Sequence, residues 1–342
     1  MCKHGDMFSL AVLIGRGLDH NQANKRILWS KVSITTFLFI SSLFSFQGIC
    51  PLTEALSQGS AFIIFGDDMN DIKLLALDLD GTALKSNNSL STVVKKAIKR
   101  AAENGIIIVA ASGRPYGSMP DYILNMNAFK YFITSNGAGI YDNKRNRIKS
   151  VQLKEKSVLD ILNLTNDCDL IWEAFLEGET CTDKRYYDKP QKYGCSAAYV
   201  DYVRNSRGYS DDMRGYIYKN RNRLDSIEFV STDAELRKTI WNMIEKSVPD
   251  VYVTSSSTHF VEIMDGQATK AKALRFICDM LNVSLENTAA AGNADNDVDM
   301  IVEAGLGVAV KNACDNCKNN ADLIVSSNDD DGIAELINII LK

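Results

Sequence analysis

The sequence predicts an α/β protein, a parallel sheet flanked by helices and split by an inserted α+β module. Three features point to it. Short apolar runs without alternation, such as "LLAL" (74–77), "IIIVAAS" (106–112) and "TAAAGN" (288–293), read as strands buried on both faces. Amphipathic helical stretches alternate with these runs, the order that builds parallel pairs. Between residues 149 and 256 the rhythm changes to alternating strand patterns around a tyrosine-rich, charged stretch, which marks a separate unit.

Taken in order, the first strand runs into "DLDGT", and "SLSTVVKKAIKRAAENG" follows as a helix. Ser91 is its N-cap, Val93, Val94, Ala97, Ile98 and Ala101 form its apolar face, and Asn104-Gly105 closes it. The second strand ends in "SGRP", and "YFITSNGAGIYD" supplies another strand and a turn. The middle holds strand-like "RIKSVQL", "DLIWEAFLEG" and "LDSIEFVS", with helical "SVLDILNLT" and "AELRKTIWNMIEKS" between them. From Phe260 the α/β rhythm is expected to return. "FVEIM" reads as a strand and "KAKALRFICDMLN" as a helix with Ala273, Leu274, Ile277 and Leu281 on one face. Strand "TAAAGN", helix "NDVDMIVEAG", strands "LGVAV" and "ADLIVSS" and helix "DGIAELINIILK" complete the chain. The expected division is a core of 69–148 and 257–342 with an inserted module at 149–256.

Composition narrows the function. The 342 residues suit about two domains, and 46% hydrophobic with 24% charged residues is ordinary for a globular protein. A net charge of −5 without a basic stripe argues against a nucleic-acid partner. Three histidines, two of them near the N-terminus, leave little basis for phosphoryl transfer through histidine. Among eight cysteines, Cys314 and Cys317 form a lone C-x-x-C, expected to be reduced thiols on a surface helix rather than a zinc site.

Residues 1–68 stand apart. An uncharged apolar run at 32–53, preceded by Lys25, Arg26 and Lys31, has the look of a membrane anchor or signal peptide. Yet Gly66-Asp67-Asp68-Met69 back-translates to a purine-rich ribosome-binding pattern just ahead of an ATG, and the α/β pattern starts cleanly after Met69. We therefore expect 1–68 to be translated upstream sequence ahead of a start at Met69. A membrane anchor and a cleaved signal peptide are the alternatives.

Four places fall at or after expected strand ends, where open α/β sheets bind ligands. They are Asp78 with Asp80, Ser112, the loop with Lys270, and "GNADND". Each alone has a structural explanation as a turn, a solvated lysine or a helix-start acid. Together they fit phosphate-ester hydrolysis. A carboxylate attacking a phosphate dianion meets repulsion that a divalent cation offsets, and Mg²⁺ suits an all-oxygen site. Asp78 is then the nucleophile and Asp80 the acid and base. Gly81 permits the tight turn, Thr82 orients the loop, Ser112 and the Gly113 amide hold phosphate oxygens, and Lys270 supplies fixed positive charge.

The ordered set "DLDGT", "SGRP", "SNGA", the lysine of "QATKAKAL" and "GNADND" resembles the haloacid dehalogenase superfamily, specifically its Cof-type (IIB) phosphatases, over about 72–342. The resemblance implies a Rossmann-like core with an inserted α+β cap and Mg²⁺-dependent hydrolysis of small phosphorylated metabolites such as sugar phosphates. It implies Asp78 and Asp80 as catalytic residues, and Leu79, Ser112, Gly113, Lys270 and Asn296 as the phosphate-binding set. The implied metal set is Asp78, Asp80, Asn293 and Asp297. About 30 residues join Asp78 to Ser112 and about 150 join Ser112 to Lys270, which puts the cap between the second and third motifs.

One position departs from the pattern. Asn293 stands where the family carries a metal-ligating aspartate, so the site offers one formal charge fewer. Asp295 in the same loop compensates in part if it turns inward. A P-type ion pump would need a lysine at Leu79 and several membrane spans. A non-catalytic binding or regulatory protein is the remaining alternative, with Asn293 as its evidence. A cytoplasmic metabolite phosphatase is the leading expectation. Nothing in 149–256 names a substrate, and Tyr186 and Tyr187 are expected to pack within the cap.

Overall fold

A computed structural model describes residues 71–342. The expectations for 1–68 lie outside the described residues. Two sheets organise the rest. The first has eight strands. In chain order they are β1 (Leu74–Asp78), β2 (Ile107–Ala111), β3 (Phe129–Thr134), β4 (Gly139–Asp142), β5 (Arg147–Ser150), β12 (Thr288–Gly292), β13 (Leu306–Val310) and β14 (Leu323–Val325). Their spatial order is β14-β13-β12-β1-β2-β3-β4-β5. All pairs from β14 to β3 are parallel, and β4 and β5 add an antiparallel edge.

Strand β1 lies between β12 and β2 and is buried throughout, as its unbroken apolar run requires. Helix α1 (Thr92–Glu103) begins at Ser91, whose hydroxyl accepts from Val94 N at 3.0 Å, a cap worth about 1 kcal/mol. Val94, Ala97, Ile98 and Ala101 are buried as expected, but Val93 is 51% exposed. It lies one residue outside the face that meets the sheet.

The second sheet has six strands in the order β10-β11-β9-β6-β7-β8. They are β6 (Ile171–Leu176), β7 (Glu179–Asp183), β8 (Gly208–Ser210), β9 (Leu224–Val230), β10 (Val251–Thr254) and β11 (Phe260–Asp265). Helices α3 (Glu155–Leu164), α6 (Met213–Lys219) and α7 (Ala234–Ser247) bury one face of it around Trp172, Ile227, Phe229 and Ile263. The tyrosine-rich segment forms short α4 (Lys184–Asp188) and α5 (Val200–Ser206), with Tyr186 buried among Ile171, Val203 and Val230. Tyr187 packs against Tyr209 at 4.7 Å between ring centroids. Tyr186 and Tyr187 thus pack against cap residues. A short α2 (Asp121–Leu124) precedes β3.

Two expected assignments are corrected. Phe260–Asp265 does not return to the parallel sheet. It pairs antiparallel with β9 and β10 in the second sheet, so the strand placed in the core at 257–265 belongs with the inserted unit. Conversely, Arg147–Ser150 of "RIKSVQL" pairs with β4 at the edge of the first sheet. An apolar run specifies a strand, while its partner is set by contacts far along the chain. The chain re-enters the core through α8 (Lys270–Leu281), N-capped by Thr269, with Ala273, Leu274 and Ile277 buried. Helices α9 (Val298–Glu303), α10 (Asp315–Asn320) and α11 (Gly332–Ile340) complete the structure.

Candidate active site

The carboxyl ends of β1, β2 and β12 meet at one place because those strands are parallel and adjacent. Asp78, the last residue of β1, is 4% exposed. Lys270, the first residue of α8, is fully enclosed and donates to Asp78 Oδ1 at 2.8 Å and Asp297 Oδ1 at 2.7 Å. Burial works against its charge, yet Asp297 and Asp78 together hold the Lys270 ammonium above its ordinary value. Burial, then the charge of Asp297, push the Asp78 carboxyl up to about 7 against the pull of Lys270. The Asp78 carboxylate is thus short of compensating positive charge.

The second oxygen of Asp78 faces the shortage. With the Asn293 amide oxygen turned inward, that atom lies 3.0 Å from Thr82 Oγ1, 2.9 Å from the Asp80 carbonyl oxygen and 3.0 Å from Asp78 Oδ2. Thr82 donates its hydroxyl to the amide oxygen, whereas the Asp80 carbonyl and Asp78 Oδ2 only accept and repel it unless a cation lies among them. The spacing is also the edge of an octahedron whose ligands lie about 2.1 Å from its centre, the geometry Mg²⁺ demands. With the amide turned over, its NH₂ faces the same three oxygens, and its two hydrogens can donate to the Asp80 carbonyl and Asp78 Oδ2. Asn293 therefore fits a cation in one orientation and replaces it in the other. Gly81 makes this packing possible: its φ is +78°, and a Cβ there would come within 2.6 Å of Asn293 Nδ2.

Asp297, expected among the metal ligands, stands behind Asn293 instead. Its Oδ1 takes the Lys270 ammonium, and its Oδ2 accepts from Asn293 N at 2.9 Å and Ala294 N at 3.1 Å. Both oxygens are engaged in fixing the loop and the lysine. Cys317, expected on the surface, is buried, and its thiol donates to Ala294 O at 3.0 Å while Cys314 N donates to Asn293 O at 2.8 Å. The C-x-x-C buttresses this loop. Among the described residues no group of three or more His, Cys, Asp or Glu side chains could hold a metal. Asp295 is exposed and accepts from Asn316 Nδ2 at 3.0 Å, turned away from the centre.

A cavity of about 390 Å³ opens above Asp78, and Asp80, Gly113, Asn293 and Asn296 line the same end. Asn296 Oδ1 is buried there without a partner, while its NH₂ donates to Asn136 Oδ1 at 2.9 Å. Ser112, Leu79, Lys270 and Asp297 are not lining residues. The Ser112 hydroxyl accepts from Arg114 N at 3.1 Å, and the Leu79 side chain is wholly in the apolar core, which leaves only its backbone for a ligand.

Two contributors escaped the sequence reading. Arg114, in "SGRP", donates from Nε and Nη2 to the two Asp80 carboxylate oxygens at 2.7 and 2.5 Å and stacks 4.2 Å from the Tyr202 ring centroid. Asn136, in "SNGA", has φ +54° and donates to Glu262 of the second sheet at 2.6 Å. Its place inside a recognised motif was the available signal for each.

Known proteins share this architecture. Residues 75–337 match the haloacid dehalogenase-like hydrolase family. The Bacillus subtilis phosphatase YwpJ is 27% identical over 79% of this chain and 100% of its own length. A solved haloacid dehalogenase-like hydrolase from B. subtilis is 28% identical, covers 78% of this chain and 99% of that one, and superposes with a TM-score of 0.69. A subclass IIB sugar phosphatase shares the fold at TM-score 0.68 and 19% identity, over 78% of this chain and 98% of that one. With a match spanning both sheets and every strand end that carries the site, the chain belongs to the haloacid dehalogenase-like hydrolase family.

Proposed function

We propose that the protein hydrolyses phosphate monoesters of small metabolites, with Mg²⁺, through a phosphorylated Asp78. The observation that carries this reading is the divided Asp78 carboxylate, one oxygen on Lys270 and the other facing the Asp80 carbonyl and Asn293. The name of the B. subtilis relative, a phosphatase, supports it.

Asp78 Oδ2, the Asp80 carbonyl and the Asn293 amide oxygen would hold the cation. When bound, it offsets the repulsion between an anionic nucleophile and a phosphate dianion. Lys270 keeps Asp78 charged and oriented. The Gly113 amide and the Asn296 side chain, with the Ser112 and Leu79 backbone behind them, hold phosphate oxygens. Asp78 attacks phosphorus, the bond to the leaving alcohol breaks, and Asp80 gives that alcohol its proton. Asp80 then takes a proton from water as the water attacks phosphorus, which releases inorganic phosphate and restores Asp78. Each Asp80 oxygen keeps a second lone pair beside the Arg114 fork, and that position carries the proton in both transfers.

The acidic balance argues against a nucleic-acid partner. Free thiols and a phosphorylated substrate favour the cytoplasm. Among the described residues no helix is long and apolar enough to cross a membrane. The test measures phosphate release from p-nitrophenyl phosphate: release with Mg²⁺ that stops on chelation with EDTA is expected. A second reading, a fold kept for binding, draws on the neutral Asn293. Absence of release even at high Mg²⁺ would favour it.

A further inference from the structure

Three glutamates stand side by side on the face of the second sheet opposite its helices. Glu262 of β11 is paired with Glu228 of β9, which is paired with Glu173 of β6. Like charges directly opposite one another on neighbouring strands are destabilising, and these three are buried, at 4, 5 and 0% exposure. Two have donors, although Glu173 Oε2 is buried without one. Glu173 Oε1 accepts from Arg207 Nε at 2.6 Å. Glu262 accepts from Asn136 Nδ2 at 2.6 Å, from Ser256 N at 3.1 Å and from the Ser256 hydroxyl.

Glu228 differs. No N–H or hydroxyl group of the described residues donates to its carboxyl, and its neighbours across the ladder are Glu173 and Glu262, both acids. Glu228 and Glu262 also line the cavity that Asp78 and Asp80 line. Arg207 lines it too but is committed to Glu173, as Arg114 is committed to Asp80. The ring of Tyr202 lies between the two guanidiniums, 4.2 Å from Arg114 and 5.1 Å from Arg207. Three acids facing one guanidinium leave negative charge in excess. A polar group this deeply buried without a donor is costly unless a ligand supplies one.

We infer that Glu228, flanked by Glu262 and Glu173, receives a protonated amine on the substrate's leaving group. The substrate class is then small phosphate monoesters bearing an ammonium group, amino sugar phosphates among them. The inference rests on the phosphatase reading of the Asp78 site. An ammonium brings the missing donor and the missing charge together. A hydroxyl brings a donor only. The cavity, at about 390 Å³, limits the ligand to the small end of the usual range.

The test separates affinity from turnover by titrating ligands calorimetrically into Asp78→Asn protein in Mg²⁺. Two matched pairs place the amine at different reach: glucosamine 6-phosphate against glucose 6-phosphate, and phosphoethanolamine against 2-hydroxyethyl phosphate. In at least one pair the amine should bind about tenfold tighter or more, the worth of a charge-assisted hydrogen bond. The near-isosteric Glu228→Gln, checked for folding by its melting transition, should remove most of that preference. No preference in either pair, no binding of any of the four, or a preference that survives Glu228→Gln would overturn the assignment. Phosphate release by the wild-type protein is scored separately. A protein that prefers the amine yet releases no phosphate from any ester would contradict the phosphatase reading and keep this one.

Discussion

Arg114 forks onto both carboxylate oxygens of Asp80, with Nε to Oδ2 at 2.7 Å and Nη2 to Oδ1 at 2.5 Å. The guanidinium is itself held by the Asn88 side chain at 2.8 Å and by the ring of Tyr202 above it. Asp80 is thus placed by a rigid group rather than by the turn alone. Arg114→Lys would keep the charge and lose the fork. A misplacement near 1 Å can cost about 100-fold in rate, so turnover should fall roughly 10- to 100-fold while KM changes little. Steady-state kinetics on an aryl phosphate checks this. An unchanged or faster kcat would mean that Arg114 only restrains Asp80.

Asn293 can satisfy the oxygens around it by turning its NH₂ inward, whereas an aspartate cannot. Asp295, exposed and bonded to Asn316, does not replace the lost charge. Asn293→Asp should therefore lower the Mg²⁺ concentration for half-maximal activity, by about 10-fold or more, since even outer contacts to a metal are worth about 10- to 100-fold. The wild-type protein should also work better with Mn²⁺, which binds such sites more tightly. Titration of each metal against both forms checks it. Coincident curves would place residue 293 away from the cation.

Glu228 carries a stability cost with a definite pH sign. Burial, then the charges of Glu173 and Glu262, raise its carboxyl well above 4.5, with Arg207 pulling the other way. The folded chain holds this proton more tightly than the unfolded chain. The penalty is absent below about pH 4.5 and grows as pH rises toward the folded value. Glu228→Gln removes the penalty, so the variant should melt at least about 2 °C higher than wild type at pH 8, with the gap shrinking at pH 5. Calorimetric melting at both pH values checks this. A variant less stable at pH 8 would show that the carboxyl is accommodated in its charged form.

Local pattern carried much of this protein and long-range pairing carried the rest. The uniform burial of β1 and the acids at its end were legible because an unbroken apolar run fits only a central strand. The helix α1 cap and its face were legible for the same local reason, except at Val93. The partners of Phe260–Asp265 were not, since a strand's own residues do not name the strand beside it. Nor was the Asp297 arrangement, which depends on backbone amides that no side-chain pattern reports. The glutamate row had a faint signal. Glu173 alternates with Ile171 and Phe175, and Glu262 with Phe260 and Met264, so each acid shares its face with apolar neighbours. An acid on an apolar face asks for a partner, and only the register shows that three such acids meet.

The central claim is that Asp78 attacks phosphorus. The most direct measurement compares phosphate release from p-nitrophenyl phosphate by wild-type protein and Asp78→Asn at saturating Mg²⁺, with circular dichroism confirming that both are folded. The account predicts release by the wild type and a fall of at least about 10,000-fold in the variant, the scale seen when a nucleophile is removed. A folded Asp78→Asn protein that keeps wild-type release would contradict it.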